Sequence, residues 1–226
     1  GRLYVTATDG ATGFELWTSD GTTNGTRQVI DLVPGAGSAN LGSLQSFGTE
    51  LLFVTIDHTA ISTAVFWRSN GTATGTSRRF SYPITTPNGS SPSQFVSIGG
   101  HTTFFAASTR TTGFELWRTD GSAAGTRLVR DIQPGTSGST PQAMTAFGDR
   151  MLFSAVDAAG REPWVSDGTA AGTFRLANIA QGPAPRFDSS HPSFFGNING
   201  LAYFTAFNET IGRELWTTDG TIAGTR

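Results

Sequence analysis

One phrase recurs five times along the chain: FELWTSDGTTNGT at 14–26, VFWRSNGTATGT at 65–76, FELWRTDGSAAGT at 114–126, EPWVSDGTAAGT at 162–173 and ELWTTDGTIAGT at 214–225. Its tryptophans, Trp17, Trp67, Trp117, Trp164 and Trp216, lie 50, 50, 47 and 52 residues apart. A short apolar run precedes each copy (RLYVTA, ELLFVTI, TTFFAA, RMLFSA, LAYFTA). After four copies come a third run such as RQVIDL, a Pro/Gly/Ser-rich stretch and a fourth run such as AMTAFG. Self-similarity at a period of about 20–50 residues marks a solenoid, a propeller or an array.

The runs are too short for helices. They are rich in Val, Phe, Thr, Tyr and Trp and bounded by Gly, Asp, Asn and Pro, which is the pattern of strands. Four strands per repeat are expected, A to D; in the second copy these fall near 43–48, 50–56, 64–69 and 77–82. Gly48, Gly99-Gly100, Gly148 and Asn199-Gly200 predict tight A–B hairpins. Four antiparallel strands in about 48 residues make one blade, so the chain reads as an all-β, single-domain β-propeller over 1–226, with five blades. It opens on a B strand and ends just after the fifth C strand, which leaves out a first A and a fifth D. A window taken from a longer array, or residues that exist beyond these 226, is the expected explanation, ahead of an unusual ring closure.

Composition excludes several chemistries. There is no cysteine, hence no disulfide framework, thiolate nucleophile or cysteine zinc cluster. All 15 basic residues are Arg, so Schiff-base chemistry and a phosphate-loop lysine are absent. A net charge of -2 argues against nucleic acid or an anionic membrane surface as partner, and no apolar run is long enough for membrane insertion.

The phrase E-L-W-x-x-D-G-T-x-x-G-T, at Glu15–Thr26 and Glu214–Thr225, resembles the bacterial ELWxxDGT repeat family. The third copy departs by Ser122 and the fourth by Pro163; the second departs most, with Val65-Phe66 and Asn70. The resemblance spans the chain and implies a secreted or surface-displayed bacterial protein, extracellular in location. It implies no enzymatic activity.

The three histidines, His58, His101 and His191, fall in non-equivalent loops and lack metal-ligand spacing. No G-x-S-x-G elbow is present. The repeated Trp is expected to pack between blades, with its ring N–H on a backbone partner. Glu15, Glu115, Glu162 and Glu214 point to the same face as the Trp, and are expected to meet an arginine (Arg27, Arg127, Arg175 or Arg226) or backbone amides. The Asp of each DGT turn is expected to be structural.

A ligand site is expected on the face made by the B–C and D–A connections. There Asp9, Asp57, Asp157 and Asn208 follow strand B, Asp31 and Asp131 end strand D, and Arg161 and Arg213 add positive charge. Such loops suit a hydroxyl-rich ligand. Acidic oxygens on several loops also suit Ca²⁺, but no loop has the carboxylate density of a dedicated calcium site; no cofactor is expected. The leading expectation is a non-catalytic module binding a glycan or surface polymer. The alternative is a structural or adhesive element assembling with itself or with neighbouring repeats, and a propeller hydrolase or lyase ranks last.

Overall fold

The computed structural model describes residues 1–57, 63–83, 92–109, 111–181 and 189–226; His58 lies outside them. Every regular element among the described residues is a strand. The first sheet holds β1 (Leu3–Ala7), β2 (Glu15–Ser19) and β3 (Arg27–Ile30). The second holds β4 (Leu41–Phe47), β5 (Glu50–Asp57), β6 (Thr63–Ser69) and β7 (Thr76–Pro83). The third holds β8 (Ser93–Ile98), β9 (Thr102–Thr109), β10 (Gly113–Thr119) and β11 (Arg127–Arg130). The fourth holds β12 (Gln142–Phe147), β13 (Arg150–Asp157), β14 (Gly160–Ser166) and β15 (Phe174–Arg175). The fifth holds β16 (Ser193–Ile198), β17 (Leu201–Asn208) and β18 (Gly212–Thr218). Each sheet is an antiparallel meander. Among the described residues the first sheet has no A strand and the fifth no D strand, as the strand count of the repeats predicts.

The blades succeed one another through their inner strands: β4 packs beside β8, β8 beside β12 and β12 beside β16. Register decides which side chains face which neighbour. Leu16 lies opposite Thr6, and Trp17 opposite Val5, so the two adjacent residues point to opposite faces. The onward face of each blade meets the backward face of the next. Leu16 and Val29 of the first blade pack with Leu51, Phe53 and Trp67 of the second. Phe47, Leu52 and Phe66 meet Phe95, Phe105 and Trp117; Phe104 and Leu116 meet Met151, Phe153 and Trp164. Each buried Phe or Leu contributes about 1.5–3 kcal/mol, so the core is a series of apolar clusters between successive blades.

Trp67, Trp117, Trp164 and Trp216 therefore do pack against the preceding blade, and within its own blade Trp67 stacks on Phe53 at 6.1 Å. The expected backbone partner for their N–H is not found. Trp67 donates to the Thr55 hydroxyl at 3.0 Å, and the buried N–H groups of Trp17, Trp117, Trp164 and Trp216 have no partner among the described residues. At the position of Thr55 the other blades carry Ala7, Ala107, Ala155 and Ala206, so the acceptor exists in one blade only.

Candidate functional site

The repeated phrase builds the C–D turn, and its recurring polar letters find their partners within the turn. In the fifth blade, Asp219 accepts from the Thr221 amide (2.9 Å) and hydroxyl (2.6 Å). The Thr221 oxygen in turn accepts from the Gly224 amide. Thr218 and Thr225 join their hydroxyls across the neck at 2.8 Å. These bonds hold the Asp219 carboxyl below its usual range, the Thr221 hydroxyl most of all. A Cβ on Gly224 would stand 2.1 Å from that carboxylate, which is why glycine is required there. Asn70 replaces the Asp in the second blade and makes the same bonds through its side-chain oxygen.

The glutamate of the phrase is the anchor of the next connector. Glu115 is fully buried and accepts from the amides of Ile132 (3.1 Å), Gln133 (3.0 Å) and Ser139 (2.8 Å), and from the Ser139 hydroxyl (2.6 Å). Glu162 repeats this with Ile179, Ala180 and the Ser190 hydroxyl, and Glu15 accepts from Leu32 at 2.9 Å. Burial pushes all three carboxyls up, and the hydrogen bonds pull against it. The partners are backbone amides and serine, not arginine. Arg27 instead reaches the Gly71 carbonyl of the next blade, and Arg175 pairs with Asp157. Val65 takes the glutamate's place in the second blade, and Glu214 of the fifth is exposed.

On the B–C and D–A face, the residues after strand B start the turn. Asp9 accepts from the Ala11 (2.9 Å) and Thr12 (2.8 Å) amides. Asp157 accepts from the Ala159 amide at 2.8 Å while its other oxygen holds Arg175 at 2.7 Å. Asn208 accepts from the Thr210 amide and donates to the Ile179 carbonyl. Asp57 closes β5 beside a cavity of about 570 Å³ that Trp67 and Arg78 also line. Asp31 and Asp131 are exposed at the ends of β3 and β11. These six residues are spread over all five blades, Asp9 and Asp31 sharing the first.

Arg161 does join a site. Its guanidinium donates to the Thr140 carbonyl (2.9 Å) and hydroxyl and to the Ser154 hydroxyl (3.3 Å). Burial lowers its pKa, with no carboxylate acting against that. It lines a cavity of about 340 Å³ with Gln94, Gln142, Ala143, Ser154, His191 and Pro192, so three successive inner-strand starts contribute. Their backbone is unusual: Gln94, Ala143, Thr140 and His191 all have positive φ, from 44° to 57°. Gln94 and Ala143 lie where the A–B register shifts by a bulge. A β-branched Thr at φ 44° is strained, and the Arg161 bonds hold it there. Sequence reading found Arg161 but missed Gln94, Gln142 and His191 as a group, because nothing local announces a bulge on an inner strand. Among the described residues no three His, Asp or Glu stand together as a metal site.

No protein-family model and no curated protein matches the chain. Solved structures similar to it carry β-propellers. A puromycin hydrolase mutant complexed with PGG superposes with a TM-score of 0.58 at 13% identity, over 94% of this chain and 32% of that one. The acylaminoacyl peptidase of Pyrococcus horikoshii gives 0.56 at 14%, over 100% and 36%. TolB of Acinetobacter baumannii gives 0.50 at 12%, over 100% and 51%. The chain thus spans a third to a half of these proteins. At such identities the likeness shows the β-propeller fold alone.

Proposed function

We propose that the chain is a non-catalytic binding module of an extracellular bacterial protein of the ELWxxDGT kind, holding a glycan or surface polymer on its B–C and D–A face. The observation that carries this reading is the polar cavity of about 340 Å³ at the inner-strand starts, where amides, a hydroxyl, an imidazole and a guanidinium converge from three blades. Such a mixture of donors and acceptors fits a hydroxyl-rich ligand. Several carboxylates are already occupied: Glu115 and Glu162 by amides, Asp219 by its turn, Asp157 by Arg175. That supports binding without turnover. Pull-down on a panel of insoluble and immobilised polysaccharides is the test, with Gln94→Ala and Gln142→Ala as cavity variants. Retention reduced in both variants is expected; failure to bind any polymer would sink the reading.

A second reading, assembly with copies of itself, has its own observation. Leu3 (62% exposed) and Leu215 (62%) occupy positions that are buried at 4% in Leu51 and 0% in Leu116. Sedimentation velocity across a range of concentrations separates the two: a constant monomer leaves the first reading alone.

A further inference from the structure

Arg161 and Arg213 hold the same place in consecutive blades, the second residue of β14 and of β18. Each reaches back to the left-handed residue before an inner strand, Arg161 to the Thr140 carbonyl at 2.9 Å and Arg213 to the His191 carbonyl at 3.2 Å. It is one contact made twice, a blade apart. His191 also lines the cavity of Arg161, so Arg213 sits against a residue of that cavity, at the corner between the fourth and fifth blades. The ion pairs among the described residues, Arg68–Glu50 and Arg175–Asp157, use neither arginine. No Asp or Glu is among the described residues lining the cavity.

A half-buried cation with no countercharge among the described residues is costly, and an oxyanion placed against it recovers that cost through charge-assisted bonds. Arginine suits this because its planar fork matches a carboxylate or a sulfate. Gln94, Gln142 and Ser154 are then placed for the hydroxyls of the same ligand. We propose that this corner binds the anionic substituent, a carboxylate or a sulfate ester, of an acidic polysaccharide. The proposal rests on the polymer-binding reading above and names its ligand class. With a net charge of only -2 the molecule neither attracts nor strongly repels a polyanion at range, so selectivity must come from contact at this corner.

The test is calorimetric titration of the intact chain with polygalacturonate, dextran sulfate and unsubstituted dextran at low and high salt. The expected result is that one or both polyanions bind at least about tenfold more tightly than dextran, and that Arg161→Met and Arg213→Gln each weaken binding by about tenfold or more. Arg127→Gln, an exposed arginine at the opposite, C–D end, is expected to change nothing. Arg161 also steadies Thr140, so melting curves accompany each titration; Arg213, exposed, is the variant that leaves the fold undisturbed. Binding of polygalacturonate alone assigns a carboxylate, and of dextran sulfate alone a sulfate ester. Equal binding of dextran overturns the anionic inference while leaving the polymer-binding reading intact. No binding of any polymer overturns both. Polyanion binding that survives in Arg213→Gln and Arg161→Met places the anion elsewhere and overturns this site.

Discussion

At the scale of single residues, the glutamate of the phrase carries very different weight from one blade to another. Glu115 satisfies the amides of Ile132, Gln133 and Ser139 and a hydroxyl, so Glu115→Ala is expected to cost about 2–4 kcal/mol, chiefly from donors left without acceptors. Glu214→Ala, at an exposed position, should change stability by less than about 0.5 kcal/mol. Urea unfolding of the pair measures the difference. Their protonation has a signature too. Glu115 and Glu162 are raised above 4.5 in the fold by burial, so the folded state holds protons that the unfolded chain releases. Stability then falls as pH climbs from 4.5 through their folded values. Asp120, Asp167 and Asp219 are lowered from 3.8, and the stability they contribute is lost as pH falls below that value. The two sets act on melting temperature in opposite directions, the aspartates as pH falls below 3.8 and the glutamates as it climbs above 4.5. In Glu162→Gln the fall above pH 4.5 should be shallower; an unchanged profile contradicts the assignment.

At the scale of the element, the C–D turn is a closed set of local bonds, repeated five times, and its tolerance stems from them. Asp120→Asn is expected to be nearly neutral, within about 0.5 kcal/mol, because Asn70 already serves in the second blade. Gly125→Ala should cost several times more, since its Cβ would lie 2.0 Å from the Asp120 carboxylate. Thermal unfolding of the two variants side by side checks the ranking. Beyond its own bonds the turn latches onto the preceding blade. Gly168 sits over Phe104, and the Arg118 guanidinium donates to its carbonyl at 3.4 Å; Gly220 sits over Phe147 under the same kind of arginine contact. One short element thus closes a hairpin and sets the distance between blades.

At the scale of the molecule, the same joint is made four times and its faces are left open at both ends of the series. Leu116 is buried in the joint between the third and fourth blades, whereas Leu215, its counterpart in the fifth, is 62% exposed. Leu116→Arg is expected to cost more than about 4 kcal/mol, through lost packing and a charge without a partner in the core. Leu215→Arg should leave the midpoint of guanidinium unfolding within experimental error. Equal losses in the two variants would mean that Leu215 is covered in solution.

The five-fold phrase determined the fold class, the number of blades, the strand boundaries to within two residues in the second copy, and the turn role of each Asp. All of these rest on interactions within a few residues, where spacing and residue type are enough. Tertiary structure alone decided where the glutamates find their partners, because the amides of Ile132 and Ser139 lie 17 and 24 residues away from Glu115. It alone left four tryptophan N–H groups without acceptors, a matter of whether the facing residue is Ala or Thr. It also decided which of the eight candidate ligand residues share a cavity. Asp9, Asp57, Asp157, Asn208, Asp31 and Asp131 recur at matching places in the repeat but are spread over five blades, while Arg161 lines a cavity with residues no motif marks and Arg213 reaches one of them, His191. Equivalence in a repeat fixes position within a blade; proximity depends on how the blades are turned around their common axis, and only packing sets that.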